Sequence, residues 1–111
     1  MAAGDVTISG DIVIGSHRLM VGTVVLDGGN PTPVTLTNYF EALLFGMATM
    51  DGSVAPGDDP NYVTSNVAAK VINVYAWKNT TGTDPTQIAS TDNARLIDWF
   101  AVGTVNSAKA K

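Results

Sequence analysis

Between Val6 and Ile14 the chain alternates: Val6, Ile8, Gly10, Ile12 and Ile14 stand at even positions, against Asp5, Thr7, Ser9 and Asp11 at odd ones. A period of two predicts a strand with one apolar face, and Gly10 in its middle predicts a bulge or a bend. Arg18 to Leu26 is almost wholly aliphatic, interrupted only by Gly22 and Thr23, and reads as a central strand. It closes in the run DGGNPTP at 27–33, whose glycines, asparagine and prolines set a turn and stop pairing. Val67 to Lys78 reads as one long strand, with Val71, Asn73, Tyr75 and Trp77 on one face and Lys70, Ile72, Val74 and Ala76 on the other. Ala94 to Val105 supplies a closing strand in which Asp98 points away from Ile97 and Trp99.

Two periods compete between Thr37 and Met50. Phe40, Leu43, Leu44 and Met47 fall at helical spacing, and Asn38 with Glu41 resembles a capping box. Leu43, Phe45 and Met47 also alternate, and Gly46 inside a helix would cost about 1 kcal/mol relative to Ala. The expectation is a short helical turn over Asn38–Ala42 followed by a strand from Leu43 to Met50. Residues 51–61 and 79–93 read as loops, the second long for a hairpin connection. The sum is all-β: an antiparallel β-sandwich or small barrel of five to seven strands, with long loops and at most one short helix. It forms a single domain over 1–105, in which 1–14 is an N-terminal arm or edge strand; 106–111 is a loose tail.

Composition sharpens this picture. The 111 residues are 45% hydrophobic and 14% charged, enough apolar material for a core and too little charge for disorder or a coiled coil. Thr and Val number 13 each, and nine of the ten acids are Asp, the usage of strands and turns. With no cysteine, disulfides, thiolate metal sites and cysteine nucleophiles are excluded. Six basic residues face ten acidic ones, and two of the six, Lys109 and Lys111, lie in the last three positions. No basic stripe is present, so nucleic acid is not an expected partner. No basic stretch precedes a long apolar run, and nothing approaches the about 18 apolar residues of a membrane span, so no membrane association is expected.

Candidate chemistry is sparse. Ser16 and His17, the only histidine, suggest a nucleophile and base, but neighbours on an extended segment point to opposite faces and would diverge. Asp51, Asp58 and Asp59 crowd one loop, yet their spacing matches no calcium-loop pattern. Asp98 is the one acid inside a strongly apolar strand, and no second carboxylate accompanies it in sequence. Asn79-Thr80-Thr81 is a glycosylation sequon without a secretory signal. The expectation is no catalytic residue, no cofactor and no metal.

The order of elements carries a resemblance. RLMVGTVVLD at 18–27, then a Gly/Pro loop, Leu36-Thr37, VINVY at 71–75 and the closing WFAVG at 99–103 resemble small virion structural proteins of tailed bacteriophages. That resemblance implies a head decoration or cement protein with no catalytic residues. Its implied partners are the major capsid protein and further copies of the chain, as a homotrimer. It would be made in the host cytoplasm and placed on the capsid exterior, a position that suits an acidic body because a protein lining the lumen would face packaged DNA. A tail or baseplate component is the alternative within the same class.

A protein of that kind acts through its surfaces, and the residues expected to meet a neighbouring subunit or shell are His17, Arg18, Val6, Ile8, Ile12, Trp77 and Asp98. A reading from another class is a small-ligand or carbohydrate-binding β-sandwich using Trp77, Tyr75 or Trp99, since aromatic faces stack on apolar ring surfaces.

Overall fold

A computed structural model describes residues 2–50 and 60–105. Eight strands follow in chain order: β1 (Val6–Ile14), β2 (His17–Val25), β3 (Thr32–Thr35), β4 (Ala42–Met50), β5 (Tyr62–Ala68), β6 (Val71–Asn79), β7 (Gln87–Ala89) and β8 (Leu96–Thr104). They form two antiparallel sheets packed face to face: sheet A, in the order β1-β2-β8-β4, and sheet B, in the order β3-β6-β5 with β7 also on β6. The protein is an all-β sandwich.

The core follows from strand alternation. Met20 and Val24 of β2 and Ile97, Trp99 and Ala101 of β8 face Val34 of β3 and Ile72, Val74 and Ala76 of β6, all fully or nearly fully buried. Phe40 and Leu36 close one end of this layer. Gly22 lets the Trp99 indole lie against β2: a Cβ there would stand 2.7 Å from Trp99 Cζ2 and would also collide with the Thr7 carbonyl oxygen. At the β4 side the two sheets meet through a side chain, the Ala48 N–H donating to Ser65 Oγ at 3.2 Å. The sandwich is drawn together along that side, and β1 stands as the far edge of sheet A.

Four local expectations fail for identifiable reasons. Pairing does not stop at the prolines of 27–33: Pro33 lies in β3 opposite Asn73, on an edge strand where a missing N–H is tolerated. No helix forms over Asn38–Ala42; a turn closed by Tyr39 N–H to the Leu36 carbonyl (3.1 Å) leads into β4 at Ala42, because extension buries Leu43 beneath the sheet while the turn buries Phe40. The long strand expected from Val67 is two strands, broken at Ala69, which takes a positive φ of 54° in the two-residue β5–β6 turn. The 79–93 connection is not all loop: Gln87–Ala89 pairs with β6 as β7. The Asp51, Asp58 and Asp59 cluster and the 106–111 tail lie outside the described residues.

Candidate functional site

The bulge in β1 decides which side chains share a face. Register shifts between Ile8 and Gly10, so Val6 and Ile8 pair with Val24 and Gly22 on the inward side of sheet A. Beyond the bulge, Ile12 and Ile14 pair with Leu19 and His17 on the outward side. The even-numbered stripe of the sequence is therefore split between two faces.

The outward face of sheet A is built from cross-strand rows. One runs Ile12, Leu19, Val102, Phe45; the next runs Gly10, Val21, Phe100, Met47; a third runs Thr7, Thr23, Asp98, Thr49. The first two rows are entirely apolar. Ile14 is 71% exposed, Leu44 60%, Ile12 52%, Phe45 51% and Met47 47%. Phe45 and Phe100 pack edge to face, with ring centroids 6.1 Å apart. At the β1 side a groove of about 190 Å³ is lined by Ile12, Ile14, His17, Arg18, Leu19 and Val102. At the β4 side a smaller hollow of about 120 Å³ is lined by residues that include Met47, Thr49, Asp98 and Phe100.

The outward face of sheet B differs in kind. Its rows run Tyr62 with Trp77, Thr64 with Tyr75, and Asn66 with Asn73 and Pro33. The Tyr75 and Trp77 rings lie nearly parallel, 13° apart with centroids at 6.3 Å, and Trp77 Nε1 donates to Thr64 Oγ1 at 2.9 Å. At one end Asn79 Oδ1 accepts from both Asn61 Nδ2 (2.8 Å) and Gln87 Nε2 (2.5 Å).

The expected contact residues do not converge on one site. His17, Ile12 and Asp98 share the outward face of sheet A, Asp98 two rows beyond Ile12. Val6 and Ile8 lie on the inward side of the edge strand, and Trp77 on the other sheet. Arg18 also points inward: its guanidinium bonds both Asp11 carboxylate oxygens (2.8 and 2.6 Å), donates to the Tyr39 carbonyl (3.1 Å) and stands 5.4 Å from the centre of the Tyr39 ring. The hydrogen bond from Arg18, reinforced by its charge, holds the Asp11 carboxyl below the usual carboxylate range. Trp99 is core, its Nε1 buried without a hydrogen-bond partner.

Ser16 and His17 do not diverge as expected. Ser16 sits in the β1–β2 turn and not on the strand, so alternation does not govern it, and Ser16 Oγ lies 3.4 Å from His17 Nδ1. Both side chains are exposed and the contact is long, which leaves the imidazole solvated at the head of β2. Among the described residues, no group of three or more His, Asp or Glu gathers at metal-binding distance.

Sequence reasoning does not single out Phe45, Met47, Leu44, Phe100 and Val102. The signal that could find them is the absence of alternation in β8 and β4: WFAV and ALLF are apolar on both faces, and a sandwich has only one inward face to give them.

No protein-family model and no curated protein matches the chain. Among solved structures, an N-truncated R2-type pyocin tail fiber superposes on 89% of this chain and 37% of its own, with a TM-score of 0.48 and 18% sequence identity. The chain thus spans well under half the length of that fiber fragment. At that identity and superposition the likeness carries no argument about fold or function.

Proposed function

We propose that the chain is a non-enzymatic structural subunit of a tailed-phage particle, acting by assembly with copies of itself and with a neighbouring particle protein. The observation that carries this reading is the outward face of sheet A. Two adjacent apolar rows, with Ile12, Leu19, Phe45 and Met47 exposed and Val21, Phe100 and Val102 half-buried between them, cover a sheet whose other face already fills the core. Contiguous exposed apolar surface of this kind marks an interaction site on a folded protein. The order of strands that resembles phage virion proteins supplies the class of particle.

Two positions on such a particle suit the surface. The molecule measures 53 by 23 by 20 Å, and a nine-residue strand spans about 30 Å, so the strands run near the long axis. An elongated body with an apolar face along its length favours side-by-side bundling, as in a tail or baseplate. The acidic composition favours the exterior of a head, where a trimeric decoration protein would bind the major capsid protein and, by linkage, stabilise the shell at each occupied site. Labelling the chain and locating it on purified particles by electron microscopy separates the two. A chain found free in the lysate and missing from heads and tails alike would overturn both.

A carbohydrate-binding reading draws on a separate observation, the parallel Tyr75 and Trp77 rings beside the amides of Asn61, Asn79 and Gln87 on sheet B. Quenching of Trp77 fluorescence by a glycan, abolished in Trp77→Ala, would support it; a flat response across a glycan panel would remove it.

A further inference from the structure

From the same outward face, and resting on the assembly reading above, we infer that sheet A is covered by another copy of this chain, with the β4 side of one copy against the β1 side of the next. The rows supply the argument. Phe45, Val102, Leu19 and Ile12 stand at one height across the four strands, and Met47, Phe100, Val21 and Gly10 at the next. A rotation axis parallel to the strands keeps every residue at its height. It therefore brings Phe45 of one copy level with Ile12 and Leu19 of its neighbour, and Met47 level with Gly10.

Shape agrees with that placement. The β4 side is raised by two large exposed side chains, Phe45 and Met47, whereas the β1 side is lowered by Gly10 and opens into the groove of about 190 Å³ among Ile12, Ile14 and Leu19. An apolar cavity of about 150 Å³ takes up benzene, so a groove of this size has room for the Phe45 ring. Charge agrees as well. Asp98 arrives over Thr23 of the neighbour and His17 over Thr104, so neither meets a like charge or is left against bare hydrocarbon.

Area is the third argument. Four strands of nine residues present a face of roughly 600 Å² before allowing for its corrugation. That approaches the about 800 Å² per partner of a standard stable interface. Each copy offers one knob and one groove, and with no translation along an axis parallel to the strands the contact closes into a ring of few copies in place of an open filament. A twofold or a threefold ring makes the contact.

The absence of cysteine makes a clean test. Ile12→Cys and Phe45→Cys are purified separately, mixed and oxidised, and the products read on a non-reducing gel. Within one chain the two positions are three strand spacings apart, about 14 Å, beyond the about 7 Å between Cα atoms that a disulfide can bridge. A cross-linked band is expected from the mixture and none from Thr35→Cys mixed with Asn66→Cys on sheet B. Native mass of the unmodified chain is expected at two or three times 11.5 kDa. The pair Phe45→Glu with Met47→Glu should lower association at least a hundredfold, with its far-ultraviolet circular dichroism unchanged. A single-chain mass at millimolar concentration overturns the inference; so does a multimer that forms no disulfide between positions 12 and 45 and survives the two glutamates. Particle localisation is read separately: a monomer found on particles removes this inference alone, and a multimer missing from particles removes the function reading alone.

Discussion

The two outward faces of the sandwich cover the same core, one over four nine-residue strands and the other over strands of three to nine, and they are finished differently. On sheet B polar side chains are partnered within the chain: Trp77 Nε1 donates to Thr64 Oγ1, and Asn61 and Gln87 both donate to Asn79 Oδ1. Asn66 and Asn73 occupy the next row. On sheet A the corresponding rows hold Ile12, Leu19, Val102 and Phe45, then Val21, Phe100 and Met47, with no polar side-chain atom for water to bind. Burial of apolar surface contributes about 25 cal/mol per Å², so leaving this face in water forgoes a stabilisation that leaving sheet B in water does not. The difference teaches that the chain's own polar partners finish one outward face and leave the other apolar, which is the surface the inferred neighbour would cover.

The largest test separates the two faces of sheet A itself. Gly22→Ala places a methyl group against the Trp99 ring and the Thr7 carbonyl on the inward side. Overpacking at a site hemmed by backbone costs about 3 kcal/mol, and for a domain of this size that lowers the thermal midpoint by about 10 °C or more. Phe45→Glu on the outward side should leave the midpoint of the dilute chain within a few degrees. Equal losses from both would mean that the outward face is already part of the monomer's fold.

A smaller effect is expected on sheet B. Tyr75→Ala and Trp77→Ala each remove one partly buried ring and its contact with the parallel neighbour. The aromatic contact along β6 and the lost apolar area together come to about 1–2 kcal/mol, visible as a lower urea midpoint with no change in native mass. A change of mass would move the assembly surface to sheet B and reverse the comparison.

The same contrast sets how stability depends on concentration. When association covers sheet A, a tenfold rise in protein concentration adds about 0.7 kcal/mol per chain to a two-copy assembly, half of the 1.4 kcal/mol of a tenfold factor. The thermal midpoint of the unmodified chain should climb by a few degrees across that range, and that of the Phe45→Glu, Met47→Glu pair should stay flat.

Much of this molecule is legible in its sequence. The aliphatic run of β2, the two faces of β6 and the outward turn of Asp98 are present as read, the last two following from a period of two. What fails is punctuation. Ala69 is a turn residue that carries no glycine or proline signal, so β5 and β6 read as one strand. The Asn38–Ala42 segment has the polar residues of a helix start, but the burial of Phe40 and Leu43 from a turn and a strand outweighs a single capping pair. The surface is harder still. A bulge of one residue at Ser9 reverses the face of every side chain before it, so period-two reading groups Val6 and Ile8 with Ile12 when they belong to the opposite side. Phe45, Met47 and Phe100 are not singled out as surface because periodicity finds apolar faces without saying which one the fold will cover.

The smallest expected effect concerns Asp11 and Arg18, which close the inward side of β1 where sheet B does not reach. The pair is only partly screened from water, with the Asp11 side chain 34% exposed, so its contribution is set at about 0.5 kcal/mol, in the range of solvated ion pairs. Because the Arg18 hydrogen bond lowers the Asp11 carboxyl in the folded chain below its unfolded value near 3.8, the folded state binds its proton less readily. The stabilisation is therefore complete above about pH 5, and it is lost as pH falls through the range below 4. Asp11→Asn should flatten that acid limb by the same small amount while leaving stability at pH 9 lower than that of the parent chain. If the mutant instead loses stability equally at pH 3 and pH 7, the carboxylate is not what holds Arg18 over Tyr39. The edge strand would then be fixed by its ladder with β2 alone.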